Sequence, residues 1–211
     1  MKTIALFGGT GQTGQQFLEQ ALAKGYTIKA LVRTPEKMTQ QHPNLTILKG
    51  DVLNQEEVNK TVAGTDIVVS LFGHVKGSPA WLQTNGTKNI IAAMKQHSVK
   101  DIISLSGGGL PYPEKDQPKF ADHMIRTIMK IVVPKVLNDA IEHHKVLQQS
   151  GLNWMIVRGP RLTNEPKRGQ YRVGWVGVNA STSIGRADLA DFIVKQTEQF
   201  SFKQEMPFVS Y

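Results

Sequence analysis

The sequence predicts an α/β fold, a doubly wound parallel sheet with helices on both faces, and three observations predict it. Six apolar runs of strand length recur, at residues 4–7, 26–32, 45–48, 66–71, 102–105 and 152–157. Segments with apolar residues at helical spacing separate them, and such strict alternation implies parallel strands joined by right-handed crossovers. Third, the stretch Gly8-Gly9-Thr10-Gly11-Gln12-Thr13-Gly14 stands where the first strand gives way to the first helix. The 211 residues are read as one domain, 1–211, within which 159–183 form a looser, substrate-side loop region.

The first helix places Phe17, Leu18, Ala21 and Leu22 on one face. A glycine-rich turn at such a junction lets the backbone approach an anion and aims the helix's free N–H groups and positive dipole end at it. Two spacings fit: Gly9, Gly11 and Gly14 match G-x-G-x-x-G, whereas Gly8, Gly11 and Gly14 match G-x-x-G-x-x-G. Either spacing alone also fits a plain structural turn; the strand before and the helix after point to a diphosphate site. The second strand ends about 20 positions beyond the last glycine, where a dinucleotide fold contacts the adenosine ribose. Selection of NAD uses an acid there; this chain has Arg33, with Lys37 a turn further on. A guanidinium pairs with a 2′-phosphate that an acid would repel, so the expected cofactor is NADP(H).

Pro35 opens a helical turn expected to reach about residue 41, closed by Pro43-Asn44. The third strand ends in Gly50-Asp51-Val52, placing Asp51 to accept from an adenine amino group and Val52 to pack on the ring. Asn54 and Glu57 have the spacing of a helix N-cap with an acid at the third position. After the fourth strand, Gly73 allows close backbone approach to a ribose, and His74 reads as a solvent-exposed loop residue. A helix with Ile90, Ile91 and Met94 as its stripe follows. The fifth strand runs into Ser106-Gly107-Gly108-Gly109, with Ser106 at the ligand-binding edge, either donating to acceptor or nicotinamide or capping the turn. Three prolines make 111–118 a loop.

Residues 120–150 read as helix divided at Pro134, with His143 and His144 on a solvated face. The sixth strand is expected to close the sheet at Arg158-Gly159-Pro160-Arg161. Beyond it come a short strand at 171–176, a helix from Arg186 to about Phe200 and a strand at 206–209, a tail expected to form a lid and wall over the nicotinamide half. Trp81, Trp154 and Trp175 read as packing residues, Trp175 with access to an acceptor pocket.

No cysteine is present, which excludes disulfides, thiolate metal sites and a cysteine nucleophile. No His spacing points to a metal. The net charge of +8 suits an anionic ligand, and its dispersal along the chain weakens a nucleic-acid reading. Neither a signal-peptide core nor an apolar run of about 18 residues appears, so a cytoplasmic protein without a membrane partner is expected.

The glycine stretch, Ala30-Leu31-Val32-Arg33, Gly50-Asp51-Val52, Lys145-Val146-Leu147 with Ser150-Gly151-Leu152, and Val157-Arg158 with Pro160 together resemble the atypical short-chain dehydrogenases/reductases with NmrA-like NAD(P)-binding Rossmann folds. Within that group the chain is most similar to the NADPH-dependent flavin reductase/biliverdin-IX-beta reductase family, over nearly its whole length. The resemblance implies a cytoplasmic reductase of flavins and linear tetrapyrroles. It assigns the diphosphate to Thr10, Gly11, Gln12 and Thr13, the 2′-phosphate to Arg33 and Lys37, the adenine edge to Asp51 and Val52, and the nicotinamide ribose region to Leu71, Phe72 and Gly73. Gly8, Gly14, Ser106 and Pro160 complete the expected cofactor-binding set, and Ser106 is the one catalytic candidate.

The family's serine after the fifth strand aligns with Gly107, and two of its histidines align with Ala140 and Arg161. The Tyr-x-x-x-Lys pair of general short-chain dehydrogenases would fall where Val136 and Ala140 stand. Carbonyl reduction needs a general acid. A flavin or quinone needs one less, because hydride addition gives a delocalised anion that water can protonate. The expected activity is therefore NADPH-dependent hydride transfer to a small planar acceptor such as a flavin or quinone. The alternative is a redox sensor that binds NADP(H) without turnover and signals to a protein or nucleic-acid partner.

Overall fold

The computed structural model describes all 211 residues. In chain order they form β1 (Thr3–Phe7), α1 (Gln12–Ala23), β2 (Thr27–Val32), β3 (Leu45–Lys49), α2 (Gln55–Val62), β4 (Ile67–Ser70), α3 (Leu82–Gln96), β5 (Asp101–Gly107), α4 (Phe120–Val132), α5 (Pro134–Gln148), β6 (Asn153–Gly159), β7 (Arg161–Thr163), β8 (Arg172–Gly174), β9 (Ser183–Gly185), α6 (Arg186–Glu198) and β10 (Phe208–Ser210). The main sheet has the order β3-β2-β1-β4-β5-β6-β10-β8. Neighbours from β3 through β10 pair in parallel, and only β8 runs antiparallel. The winding reverses between β1 and β4, which opens a crevice beyond their carboxyl ends.

Alternation along β1 shows how the sequence builds two cores. Ile4 and Leu6 face α1 and α6, joining Phe17, Leu18, Leu189 and Phe192. Ala5 and Phe7 face the other layer, joining Val58, Ile90, Met94 and Leu147. With both faces covered, the parallel strands are near-continuous apolar runs.

Three expectations change. β6 does not close the sheet, because the C-terminal run docks beside it, Phe208 pairing with Arg158, and β8 then pairs with β10. The turn after Pro35 is a single 3-10 turn, Pro35–Lys37. Nothing apolar recurs at helical spacing after it, and the residue before Pro43 is disfavoured in helix. Finally, α6 is no lid. It is buried beside α1, with Gln20 Nε2 donating to Ala187 O at 2.8 Å and Lys2 Nζ to Thr197 O at 2.6 Å.

α4 lies outside both cores, and none of its residues is buried. Phe120, Met124, Ile128, Ile131 and Val132 stand exposed along one side of it.

Candidate functional site

The glycine loop follows β1 because each glycine answers a different constraint. Gly8 has φ +87°, and a Cβ there would meet Phe72 N at 2.4 Å. A Cβ on Gly14 would lie 2.2 Å from Gly8 O. Gly11 has ordinary extended backbone, φ −70° and ψ 157°, and its Cβ would meet only Gly8 O, at 3.3 Å. Gly8 and Gly14 are therefore what the turn itself requires, Gly11 leaves its outer side open, and Gly9 packs against Met38, Leu18 and Leu6. α1 starts without a side-chain cap and without an acid in its first turn. The N–H groups of Gln12, Thr13 and Gly14 thus have no helical acceptor. Gln12 is exposed and faces the cleft beside α6, whereas Thr13 and Gly14 are buried.

A cavity of about 200 Å³ at the switch point is lined by Gly8, Thr10, Gly11, Arg33, Lys37, Asp51, Val52, Leu71, Phe72 and Gly73, among others. Residues expected at four separate loops thus meet in one crevice. Arg33 and Lys37 are exposed, and neither forms an ion pair within the chain. Asp51 is held by its neighbours: Glu57 Oε2 accepts from its N–H at 2.7 Å, and its own Oδ1 accepts from Leu53 N at 2.9 Å. Its other oxygen accepts nothing within the chain. Asn54 caps α2, its Oδ1 accepting from Glu56 N at 3.0 Å and Glu57 N at 3.3 Å, so Glu57 is left to orient Asp51.

A second cavity, about 240 Å³, shares Leu71, Phe72 and Gly73 with the first and adds His74, Leu105, Ser106, Gly107, Val136, Ala140 and Pro160. Ser106 is half-buried, and its hydroxyl bonds to no base. Val136 and Ala140 form the wall where a Tyr/Lys pair would stand. A third cavity, about 360 Å³, shares Gly107, Met129, Gly159 and Pro160 with the second and runs on to Arg126, Arg161, Ser181, Thr182 and Phe208. The three form a trough along the carboxyl edge of the sheet. Of the loop region 159–183, the ends reach this trough, whereas Asn164, Glu165, Pro166 and Lys167 face a polar cleft beside α1 and α6.

His74 is not solvent-exposed. Its side chain is 13% accessible, and Nε2 lies 2.6 Å from Asp139 Oδ2. Asp139 is wholly buried and also accepts from Gln83 N at 2.8 Å, Thr84 N at 2.9 Å and Thr84 Oγ1 at 2.5 Å. Trp81, at φ 59°, gives α3 no side-chain cap, so this carboxylate from α5 serves the first turn instead. Burial drives the Asp139 carboxyl upward, but bonds from Thr84, Gln83 and His74 outweigh it and hold it below the ordinary value. His74 thus donates through Nε2 and presents a fixed ring edge to the cavity that holds Ser106.

His143 and His144 are not on a solvated face either. His143 is buried, its Nε2 3.1 Å from Ser104 Oγ, and burial pushes its pKa down to about 4. His144 sits edge-on to Trp154, with ring centroids 5.3 Å apart, and burial lowers its pKa too. Trp154 is core and Trp175 packs edge-on against Tyr112, but Trp81 is 46% exposed and packs little.

Arg158, the largest fully buried side chain, holds Asp116 in a two-pronged pair at 2.8 and 2.8 Å, and also donates to Leu110 O and Met206 O. Asp116 in turn accepts from Tyr112 N and Val176 N. The proline-rich loop is thereby tied to β6 and to the tail, which fixes that end of the trough. No group of acidic, His or Cys side chains has a metal-binding arrangement.

The sequence profile of the NAD(P)H-binding family matches residues 8–199. An uncharacterised chloroplastic protein of Arabidopsis thaliana is 27% identical over 96% of the chain and 75% of its own length. Dehydrogenase and epimerase relatives are matched over only 30% and 31% of their own lengths. A short-chain dehydrogenase/reductase from Veillonella parvula, solved in complex with NADP, superposes with a TM-score of 0.82 at 18% identity, covering 100% of this chain and 94% of that one. An anaerobilin reductase from Escherichia coli O157:H7 gives 0.78 at 17% identity, covering 99% and 96%.

Proposed function

From the premise that the chain belongs to the NAD(P)H-binding family, we propose that it is an NADPH-dependent reductase of a small planar acceptor such as a flavin or quinone, working in the cytoplasm. One observation carries the reading. The three cavities adjoin in the order the reaction needs: a cation-bearing end, a middle lined by Ser106 and His74, and a glycine-floored acceptor end. The dinucleotide fits the first of these on its own terms. The open side of Gly11 and the free N–H groups of α1 suit a diphosphate, the unpaired Arg33 and Lys37 suit a 2′-phosphate, and the free oxygen of Asp51 suits an adenine amino group. The Veillonella relative's bound NADP supports the same choice.

Held there by the glycine loop, Arg33, Lys37 and Asp51, NADPH would supply a hydride, the acceptor's two-electron reduction being completed by one proton from water. The chain's part is positioning. Gly107, where a Cβ would meet nothing within 4 Å, leaves room for a flat ring, Pro160 and Leu105 line the cavity beside it, and the Asp139–His74 pair keeps the loop after β4 in place. Holding two reactants face to face supplies roughly 7–11 kcal/mol of a barrier in the best cases. No Tyr/Lys acid faces the cavity, which suits an acceptor whose reduced form is a delocalised anion. A sensor without turnover would have no use for the acceptor-side cavity. The test is NADPH oxidation by the purified protein with flavins, quinones and aldehydes. Turnover of a flavin or quinone bears the reading out; no turnover with any acceptor, despite NADPH binding, refutes it in favour of the sensor.

A further inference from the structure

Five of the α-helices bury side chains against the rest of the fold; α4 alone buries none. With 3.6 residues per turn, Phe120, Met124, Ile128, Ile131 and Val132 fall within about 120° of arc, while Asp122, His123, Arg126, Thr127 and Lys130 share the opposite side. The apolar arc is the one turned outward. Phe120 is 85% and Ile131 76% exposed, whereas Arg126 and Met129 are half-buried at the cavity edge. A continuous apolar strip left in water beside charged residues marks an interaction surface. Charge then selects the partner. Lys119 stands at one end of the strip and Lys130 and Lys135 at the other, all exposed and in no ion pair. Asp122 is the only acid between residues 119 and 135, and its carboxylate accepts from the Lys119 N–H at 2.8 Å. A second copy would set like charges against like, on a chain that already carries +8. An anionic bilayer surface meets both needs, because its headgroups neutralise the lysines and its acyl boundary takes up convex aliphatic side chains without a matching pocket. No helix is long and apolar enough to cross a membrane, but α4 has the make-up of one that lies in the interface.

We infer that α4 is a peripheral docking helix for an anionic phospholipid surface, with Phe120, Ile128 and Ile131 entering the headgroup boundary and Lys119, Lys130 and Lys135 pairing with lipid phosphates around them. The lack of a membrane-spanning run, from which no membrane partner is expected, does not bear on a helix that lies flat. The side of α4 that faces the trough takes no part, so docking leaves cofactor binding unchanged.

The test is flotation of the full chain with vesicles of phosphatidylcholine alone or mixed with phosphatidylglycerol. Binding is expected to the mixed vesicles only. Any basic chain adsorbs to anionic lipid, so the apolar strip decides the matter: Phe120→Ser combined with Ile131→Ser should weaken binding about tenfold or more. Lys130→Gln and Lys135→Gln should each weaken it about fivefold. Circular dichroism and NADP⁺ affinity should match the parent in all of these variants. In Phe120→Trp, emission should shift to shorter wavelength on mixed vesicles, beyond any shift of the parent. No binding to mixed vesicles, or binding that the double serine variant keeps within twofold, overturns the proposal. So does a chain that is dimeric in solution and monomeric in the double serine variant, which would give the strip to a second copy. Binding of polyglutamate that the same variant weakens as much as vesicle binding also overturns it, giving the strip to an acidic protein. None of these readouts involves NADPH oxidation, so the docking helix stands or falls apart from the reductase reading.

Discussion

Substituting Gly11 and Gly14 separately should part ligand binding from folding. Gly11→Val places its side chain where only Gly8 O lies near, at 3.3 Å, in backbone that valine adopts readily. The folding cost is that of a poor N-cap, about 1 kcal/mol, or a fall in Tm of about 2–4 °C for a chain of this size. The same side chain occupies the space a diphosphate needs. Losing two charge-assisted N–H contacts at about 1.5 kcal/mol each weakens NADPH roughly a hundredfold. Gly14→Ala does the reverse. Its Cβ would sit 2.2 Å from Gly8 O, against the 3.4 Å where ordinary contact begins, so backbone must move by about 1 Å. Overpacking against backbone that cannot rotate away costs about 3 kcal/mol or more. Thermal melts followed by circular dichroism, with NADPH titrated by fluorescence, read both quantities. A Gly11→Val protein that melts normally and keeps its NADPH affinity within threefold removes the loop from the site. A Gly14→Ala protein as stable as the parent refutes the packing argument.

Arg33→Asp should lose the preference for NADPH over NADH, by about ten- to a hundredfold in the ratio of dissociation constants from calorimetry, since each charge-assisted phosphate contact contributes about 1.5–3 kcal/mol; an unchanged ratio would relocate the 2′-phosphate. Ser106→Ala should slow flavin reduction about tenfold or less, because no base in the chain engages its hydroxyl, whereas a positioned proton donor contributes about 10²–10⁴; a larger loss with NADPH binding intact would make Ser106 an acid or orienting group. Stability should fall as pH drops from about 6.5 toward 4, because unfolded His143 takes up a proton there that the folded form, with its pKa down at about 4, refuses. That difference amounts to roughly 3 kcal/mol, read from urea midpoints, and His143→Gln should flatten the slope. Asp139→Asn should destabilise the fold by about 2–4 kcal/mol, since an amide nitrogen would face donors that a carboxylate now accepts.

What the sequence made legible follows from range. Strands and covering helices announce themselves in a few residues of local pattern, and the glycine turn and Arg33 sit at spacings that the strand–turn–helix unit itself imposes. Pairings across the chain leave no such trace. His74 and Asp139 are 65 residues apart, Arg158 and Asp116 are 42 apart, and Ser104 and His143 are 39 apart. One signal was there to be used. Asp139 and His143 fall at i and i+4 on the face of α5 that continues to Leu147, with Ala140 beside them, so a polar pair on the core-facing side of that helix was readable even though its partners were not. The docking of the C-terminal strand beside β6 was beyond local pattern altogether, because a three-residue strand has too few positions to declare a face.

The buried polar groups and the unpaired cations divide the crevice between them. Several segments that border the trough are fastened by a buried or part-buried polar contact to an element behind them: the start of α3 by Asp139, the loop after β4 by Gln83 Nε2 to Phe72 O at 3.4 Å and by His74, and the proline-rich loop by Asp116 and Arg158. Breaking one such contact leaves an uncompensated buried group, so these loops have strong reason to keep one arrangement. Where these contacts hold the wall, association need not supply its ordering. At its two ends the opposite choice is made. Arg33 and Lys37 at one, and Arg161 at the other, form no ion pair within the chain, whereas Arg126 lies 4.0 Å from Asp116. A groove whose walls are held by buried polar contacts, with Arg33 and Lys37 unpaired at one end, leaves the neutralisation of those charges to a ligand.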